Sequence, residues 1–163
     1  RSLVARFGRL KLVATDAEAP PSPEAPVQIG ATADLAEIGQ RTGLTWQLPS
    51  SWADDELLAL ATDEQRAQPL LLGVPNGDAQ RVRYRLPAGW RVGELPAPVQ
   101  LEASFGSFTM RWTRQGSEVL VERDLRLAAP RIAPGEHRAF REFVSAVRAA
   151  DAKLVLLQSE SNR

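Results

Sequence analysis

The feature that most constrains this chain is a run of period-two patterning from Gln80 to Leu127, closed by a helix-forming segment from Pro134 to Ala150. In Arg81-Val82-Arg83-Tyr84-Arg85-Leu86, charged and apolar residues alternate strictly. Successive side chains of a strand point to opposite faces, so the pattern makes one wet face and one dry face. Phe108, Met110 and Trp112 alternate with Thr109, Arg111 and Thr113 in the same way, and Val119, Val121, Leu125 and Leu127 repeat it. The predicted fold class is mainly β: an antiparallel β-sandwich, with an Ig- or fibronectin-like arrangement among the options. One helix packs on it near the C-terminus, and a second, short helix lies near residue 55.

The hairpin between the two longest strands is expected at Arg114-Gln115-Gly116-Ser117, with Gly116 left-handed and Gly106 a turn glycine. Pro134 suits a first helical position. Phe140, Phe143, Val144 and Val147 then fall at i, i+3, i+4 and i+7, giving the helix one apolar stripe. Leu154 to Leu157 is a final strand.

Upstream the signals are shorter. Leu3, Ala5 and Phe7, then Leu10 and Leu12, suggest a strand broken at Gly8. Thr15 to Pro26 is acidic and proline-rich and reads as a loop or linker. Val27 to Leu35 alternates as a strand, with a helix over Asp34–Arg41 as the competing reading. Leu44 to Leu48 is a strand stopped by Pro49. Ser50 or Ser51 suits the N-cap of a helix over Trp52–Thr62, with Asp54, Asp55 and Glu56 in its first turn. Pro69 to Pro75 reads as a buried extended piece, and Asn76-Gly77-Asp78 as a turn. Short strands are also expected at Trp90–Val92 and Val99–Ala103. The expectation is one β-rich domain over residues 1–163.

At 163 residues the chain can bury a sizeable core without disulfide or metal. It holds no cysteine, which excludes a disulfide framework, a thiolate metal site and a cysteine nucleophile. Zero net charge argues against a general nucleic-acid binder. The charge is uneven: residues 1–80 carry 6 basic and 11 acidic side chains, net −5, and residues 81–163 carry 14 and 9, net +5. The halves are expected to neutralise each other, with a basic docking face as the alternative. No run of apolar residues is long enough to span a bilayer. The chain starts at Arg1 in a strand-like pattern, so a fragment of a longer or processed protein is expected.

Three segments carry a family resemblance: RYRLPAGWRVGELPAPVQLEASFGSFTMRW (Arg83–Trp112), VLVERDLRLAAPRIAPGEHRAFREFVSAV (Val119–Val147) and KLVLL (Lys153–Leu157). Their succession resembles the C-terminal β domain of bacterial transglutaminase-like envelope proteins. Those proteins carry an N-terminal β domain of unknown function, a central transglutaminase-like papain-fold domain and a β-rich C-terminal part. The core segment carrying the likeness is 70–157. It implies a periplasmic or cell-envelope location, no cofactor, and partners among the other domains of the parent protein or a neighbouring envelope protein. A transglutaminase-like centre needs a cysteine, a histidine and an aspartate. With no cysteine and His137 the one histidine, no catalytic residue carries over, and this piece is not expected to be an enzyme.

Four sets of residues could still bear function. His137 has no second histidine to share a metal and reads as a surface or helix-start side chain. Glu122 and Asp124, with Glu118 further back, could do glycoside chemistry as paired carboxylates. They are expected instead to face Arg81, Arg83 and Arg85 across a strand ladder. Trp46, Trp52, Trp90 and Trp112 could stack sugars, but Trp90 and Trp112 sit on the apolar phase of their strands, which leaves Trp52 as the exposed candidate. The expected ligand or partner surface is thus Trp52 with Arg81, Arg83 and Arg85. The leading function is a non-catalytic accessory or interaction domain. The alternatives are a carbohydrate-binding module and a hydrolase with paired carboxylates.

Overall fold

The computed structural model describes residues 11–18, 20–22, 27–34, 38–53, 56–63, 66–73 and 76–160. It groups the chain into two compact units, 1–40 and 41–163. In the first unit, β1 (Lys11–Glu18) pairs antiparallel with β2 (Gln28–Asp34), with a register shift between Leu12 and Ala14. The loop read over residues 15–26 is therefore shorter, because Thr15–Glu18 belongs to β1. The first proline is Pro20, so these four residues keep the N–H groups that a ladder needs. The Val27–Leu35 alternation does form a strand, yet its apolar residues are open: Ile29 is 75% exposed within the structure. The strand read over Leu3–Leu12 falls mostly outside the described residues.

The second unit starts within β3 (Gln40–Thr42). It continues with β4 (Thr45–Pro49), α1 (Glu56–Ala59), β5 (Leu70–Leu71), β6 (Asn76–Arg85), β7 (Trp90–Val92), β8 (Val99–Ala103), β9 (Gly106–Gln115) and β10 (Glu118–Leu127). After β11 (Arg131–Ile132), a 3₁₀ turn at Pro134–Glu136 leads into α2 (His137–Asp151), and β12 (Leu154–Ser159) closes the order. Two antiparallel four-stranded sheets dominate, ordered β6-β10-β9-β8 and β3-β4-β12-β7, with β5 and β11 forming a small pair. Among the described residues the unit is mainly β with one C-terminal helix, and neither sheet closes into a barrel.

The dry face of the first sheet is the one foreseen from alternation. Tyr84, Phe108, Met110, Trp112, Val119, Val121, Leu125 and Leu127 are all buried. Trp46, Leu48, Val92, Val155 and Leu157 of the second sheet are buried as well, as are Phe140, Phe143, Val144 and Val147 of α2. The Phe105 ring meets Phe140 and Phe143 edge-on at 5.4 and 5.5 Å, pairs that add about 0.5–1.5 kcal/mol each beyond area burial. Two side chains bridge from the first sheet to the end of β4. The Tyr84 hydroxyl donates to the Pro49 carbonyl at 2.7 Å, and the Trp112 indole N–H donates to the Ser50 hydroxyl at 2.8 Å.

Two local expectations are corrected. The helix read over Trp52–Thr62 is one turn, Glu56–Ala59, among the described residues. Ser51 accepts the Ala53 N–H in a tight local turn, and Ser50 is drawn into the core by Trp112, so neither caps a long helix. Asn76-Gly77-Asp78 is no turn but the start of β6, because Leu125–Leu127 extend the ladder opposite it. A Cβ on Gly77 would lie 3.0 Å from the Leu125 carbonyl, so the glycine serves close strand approach. Gly106 closes the two-residue turn between β8 and β9, paired with Ala103, and a Cβ there would collide with the Arg126 carbonyl. Gly116 does make the β9–β10 turn, with φ +61°.

Candidate functional site

The solvent face of the first sheet gathers most of the residues singled out in the sequence. Alternation puts Arg81, Arg83 and Arg85 of β6 outward, opposite Glu122, Leu120 and Glu118 of the central strand β10. Arg81 reaches Glu122 Oε1 through Nε at 3.2 Å and Nη2 at 2.9 Å. Glu118 takes two cations, Arg85 at 2.9 Å and Arg83 at 3.6 Å. On the far side of β10, Arg111 of β9 stands opposite Glu122. Asp124 is held by Arg126 of its own strand through two bonds of 2.9 and 3.1 Å. Four guanidinium groups thus surround two glutamates, and the third carboxylate has its own arginine.

This arrangement answers the hydrolase alternative. Paired-carboxylate chemistry needs one acid to hold a proton in a sheltered site. Here each carboxylate lies on an open sheet face and accepts from arginine, with no sheltered pocket around it. Among the described residues, no group of three or more His, Asp or Glu side chains is arranged to hold a metal ion.

Trp52 lies half-buried beneath the same strand. Its ring is tilted against Tyr84 at 6.4 Å between centroids, and its backbone N–H donates to Gln80 Oε1 at 3.1 Å. Burial pushes the Tyr84 phenol well above its ordinary range, and the Trp52 side-chain hydrogen bond works in the opposite direction. Trp112 and Trp46 are buried. Trp90 is half-buried and meets Trp46 edge-on at 5.4 Å, while the Arg41 guanidinium lies 4.2 Å from the centre of the Trp46 ring and 5.1 Å from that of Trp90. Two buried indoles, one tilted against tyrosine and one beside an arginine give no open row of rings for a sugar to lie on.

His137 starts α2, but it is buried rather than on the surface, and among the described residues neither ring nitrogen has a hydrogen-bond partner. The reason lies in spacing the sequence already showed: His137 stands three residues before Phe140 and extends the apolar stripe by one turn. It borders an open groove of about 790 Å³ shared with Arg66, Arg138, Arg141 and Glu142. Arg138 is tied to Glu142 at 3.0 Å and Arg66 to Asp63 at 3.3 Å.

The residue that sequence reasoning passed over is Arg123. It falls on the dry phase of β10, between Val121 and Leu125, and is buried. Nε and Nη2 grip the Asp151 carboxylate at 2.8 and 3.2 Å, Nη1 reaches Asp78 at 2.6 Å, and the Phe108 ring lies 5.3 Å away. A charge in a row of apolar positions requires partners, and that signal could have been read beforehand. The Arg123–Asp78 pair also joins the basic half of the sequence to the acidic half.

Among the described residues, no helix is long and apolar enough to cross a membrane. A comparison with family models matches residues 47–157 to DUF3858, a domain of unknown function with a solved structure. No curated protein matches the sequence. Among solved structures, a candidate protease from Parabacteroides distasonis has a similar fold, with a TM-score of 0.60 at 15% identity. The likeness covers 81% of this chain and 30% of that one, so this chain corresponds to less than a third of the longer protein.

Proposed function

We propose that this chain, which belongs to the DUF3858 family, is a non-catalytic accessory domain of a transglutaminase-like protein of the bacterial cell envelope, the role implied by the resemblance of residues 83–112, 119–147 and 153–157. Its role in this reading is to bind another domain of the parent protein or an envelope neighbour. The observation that carries the reading is the state of the carboxylates. Glu118, Glu122 and Asp124 are each matched to arginine on an open face, which suits recognition of a surface and not proton transfer. The likeness to one part of a longer candidate protease supports a chemistry housed elsewhere in the parent. The periplasm is the location that accompanies this role.

The test has two arms. The reading frame upstream is expected to encode a domain with a Cys-His-Asp centre, and its absence would overturn the proposal. Purified chain 1–163 is expected to give no turnover of glutamine-donor or peptide substrates, and to bind the separately expressed upstream domain. Turnover by the chain alone would assign it an activity of its own.

A further inference from the structure

The two large sheets have four edges, and they are unequal. β3 and β7 are three residues long, and β8 is five residues and follows Pro96 and Pro98. Short strands and neighbouring prolines are the usual means by which a sheet discourages further pairing. The fourth edge, β6, runs ten residues from Asn76 to Arg85, in unbroken register with β10 and with no proline. Among the described residues, no strand pairs with its other side.

The register says which groups this edge offers. The Leu86 N–H donates to the Ser117 carbonyl at 2.9 Å, so residues at even positions from 76 to 86 turn their backbone toward β10. Gly77, Ala79, Arg81, Arg83 and Arg85 turn theirs outward. The same three arginines stand on the solvent face of the edge, with side chains 72%, 53% and 79% exposed. With Arg111 they outnumber Glu118 and Glu122 by two charges.

We propose that β6 is a strand-addition site for an acidic extended segment of a partner, one that alternates acidic and apolar residues. The partner backbone would pair with the outward groups of Ala79, Arg81, Arg83 and Arg85, and its carboxylates would lie beside the guanidinium groups of Arg81, Arg83 and Arg85. Its apolar residues would fall on the Val82–Tyr84 side, near the half-buried Trp52. A second copy of this chain is the disfavoured occupant, because β6 against β6 sets arginine beside arginine. The inference rests on the accessory reading for the partner's source, but not for the chemistry of the edge.

The test uses chain 1–163 and a fluorescent decapeptide of alternating Glu and Val, with a Lys–Val decapeptide as the charge control. Saturable binding of the Glu–Val peptide is expected, with protection of the Ala79, Arg81, Arg83 and Arg85 amides from hydrogen exchange. Ala79→Pro removes an outward N–H and no bond to β10, so it is expected to weaken binding at least ~10-fold while β10 stays protected. The triple variant R81E/R83E/R85E is expected to exchange preference toward the Lys–Val peptide. Absence of saturable binding, binding indifferent to Ala79→Pro in a folded protein, or dimerisation through these amides would overturn the proposal. A frame without a Cys-His-Asp domain upstream would sink the accessory reading alone.

Discussion

The indole N–H of Trp112 donates to the hydroxyl of Ser50 at 2.8 Å, deep between β9 and the end of β4. Ser50 is 1% exposed, so no solvent can replace the hydroxyl. A buried donor left without an acceptor costs about 1–3 kcal/mol. Ser50→Ala is therefore expected to lower unfolding free energy by about 1–2 kcal/mol in urea titration, toward the lower part of that range because only a small atom is lost. A loss indistinguishable from zero would mean that this bond does not hold the two elements together.

The Arg123 cluster gives an asymmetric expectation. Removing one partner of a buried ion pair is far more damaging than replacing the charge with an apolar chain of similar size. Asp151→Ala leaves the Arg123 guanidinium with Asp78 alone and is expected to cost about 2–3 kcal/mol, since Asp151 retains some contact with water. Arg123→Met is expected to cost less, because Asp78 and Asp151 can both turn to solvent. Urea denaturation of the two single variants and the double variant would measure the coupling, and equal costs for the two single variants would contradict the asymmetry.

Tyr84 is the one tyrosine in the chain, so its ionisation can be followed alone by ultraviolet absorbance. Burial raises its pKa in the fold above the value in the unfolded chain. Between those two values the native state binds the extra proton, so stability is full below about pH 10 and falls as pH rises further. The tyrosinate band is expected to emerge together with unfolding measured by circular dichroism, not before it. Tyr84→Phe should flatten the alkaline fall in stability while losing the Pro49 bond, for a cost of about 1 kcal/mol at neutral pH. A tyrosinate signal near pH 10 in the folded protein would refute this.

Two glycines should respond very differently to alanine. At Gly106 the new methyl would collide with the Arg126 backbone, which cannot swing away, and a loss of about 3 kcal/mol or more is expected. At Gly116 there is open space, and the cost is the left-handed backbone alone, about 1 kcal/mol. Thermal unfolding of the two variants would rank them, and the reverse order would show that the β9–β10 ladder shifts freely at Gly106.

Alternation was a reliable guide wherever one face of a strand is dry. It placed β9 and β10, the buried row of Tyr84, Met110 and Val121, and the outward row of arginines opposite the glutamates. The α2 stripe followed from helical spacing in the same way. The rest depended on partners distant in sequence. Gly77 looks like a turn residue until Arg126 is found opposite it, 49 positions later. Ser50 looks like a helix cap until Trp112 claims its hydroxyl. His137 looks like a surface residue only if the helix stripe is counted from Phe140 instead of from the helix start. The apolar row on β2 is exposed, because period two marks a strand but says nothing of what covers it.

The placement of β12 bears on how the molecule is made. Residues 154–159 form an inner strand of the second sheet, with β4, more than a hundred positions earlier, on one side and β7 on the other. While synthesis is still short of that segment, β4 and β7 have nothing between them to pair with. The hairpin of β9 and β10 can close early, but the second sheet waits for the end of the domain to leave the ribosome. Such distant pairing slows folding. The nascent chain should accordingly spend a long interval with Trp46, Leu48 and Val92 uncovered, when a holding chaperone would matter most.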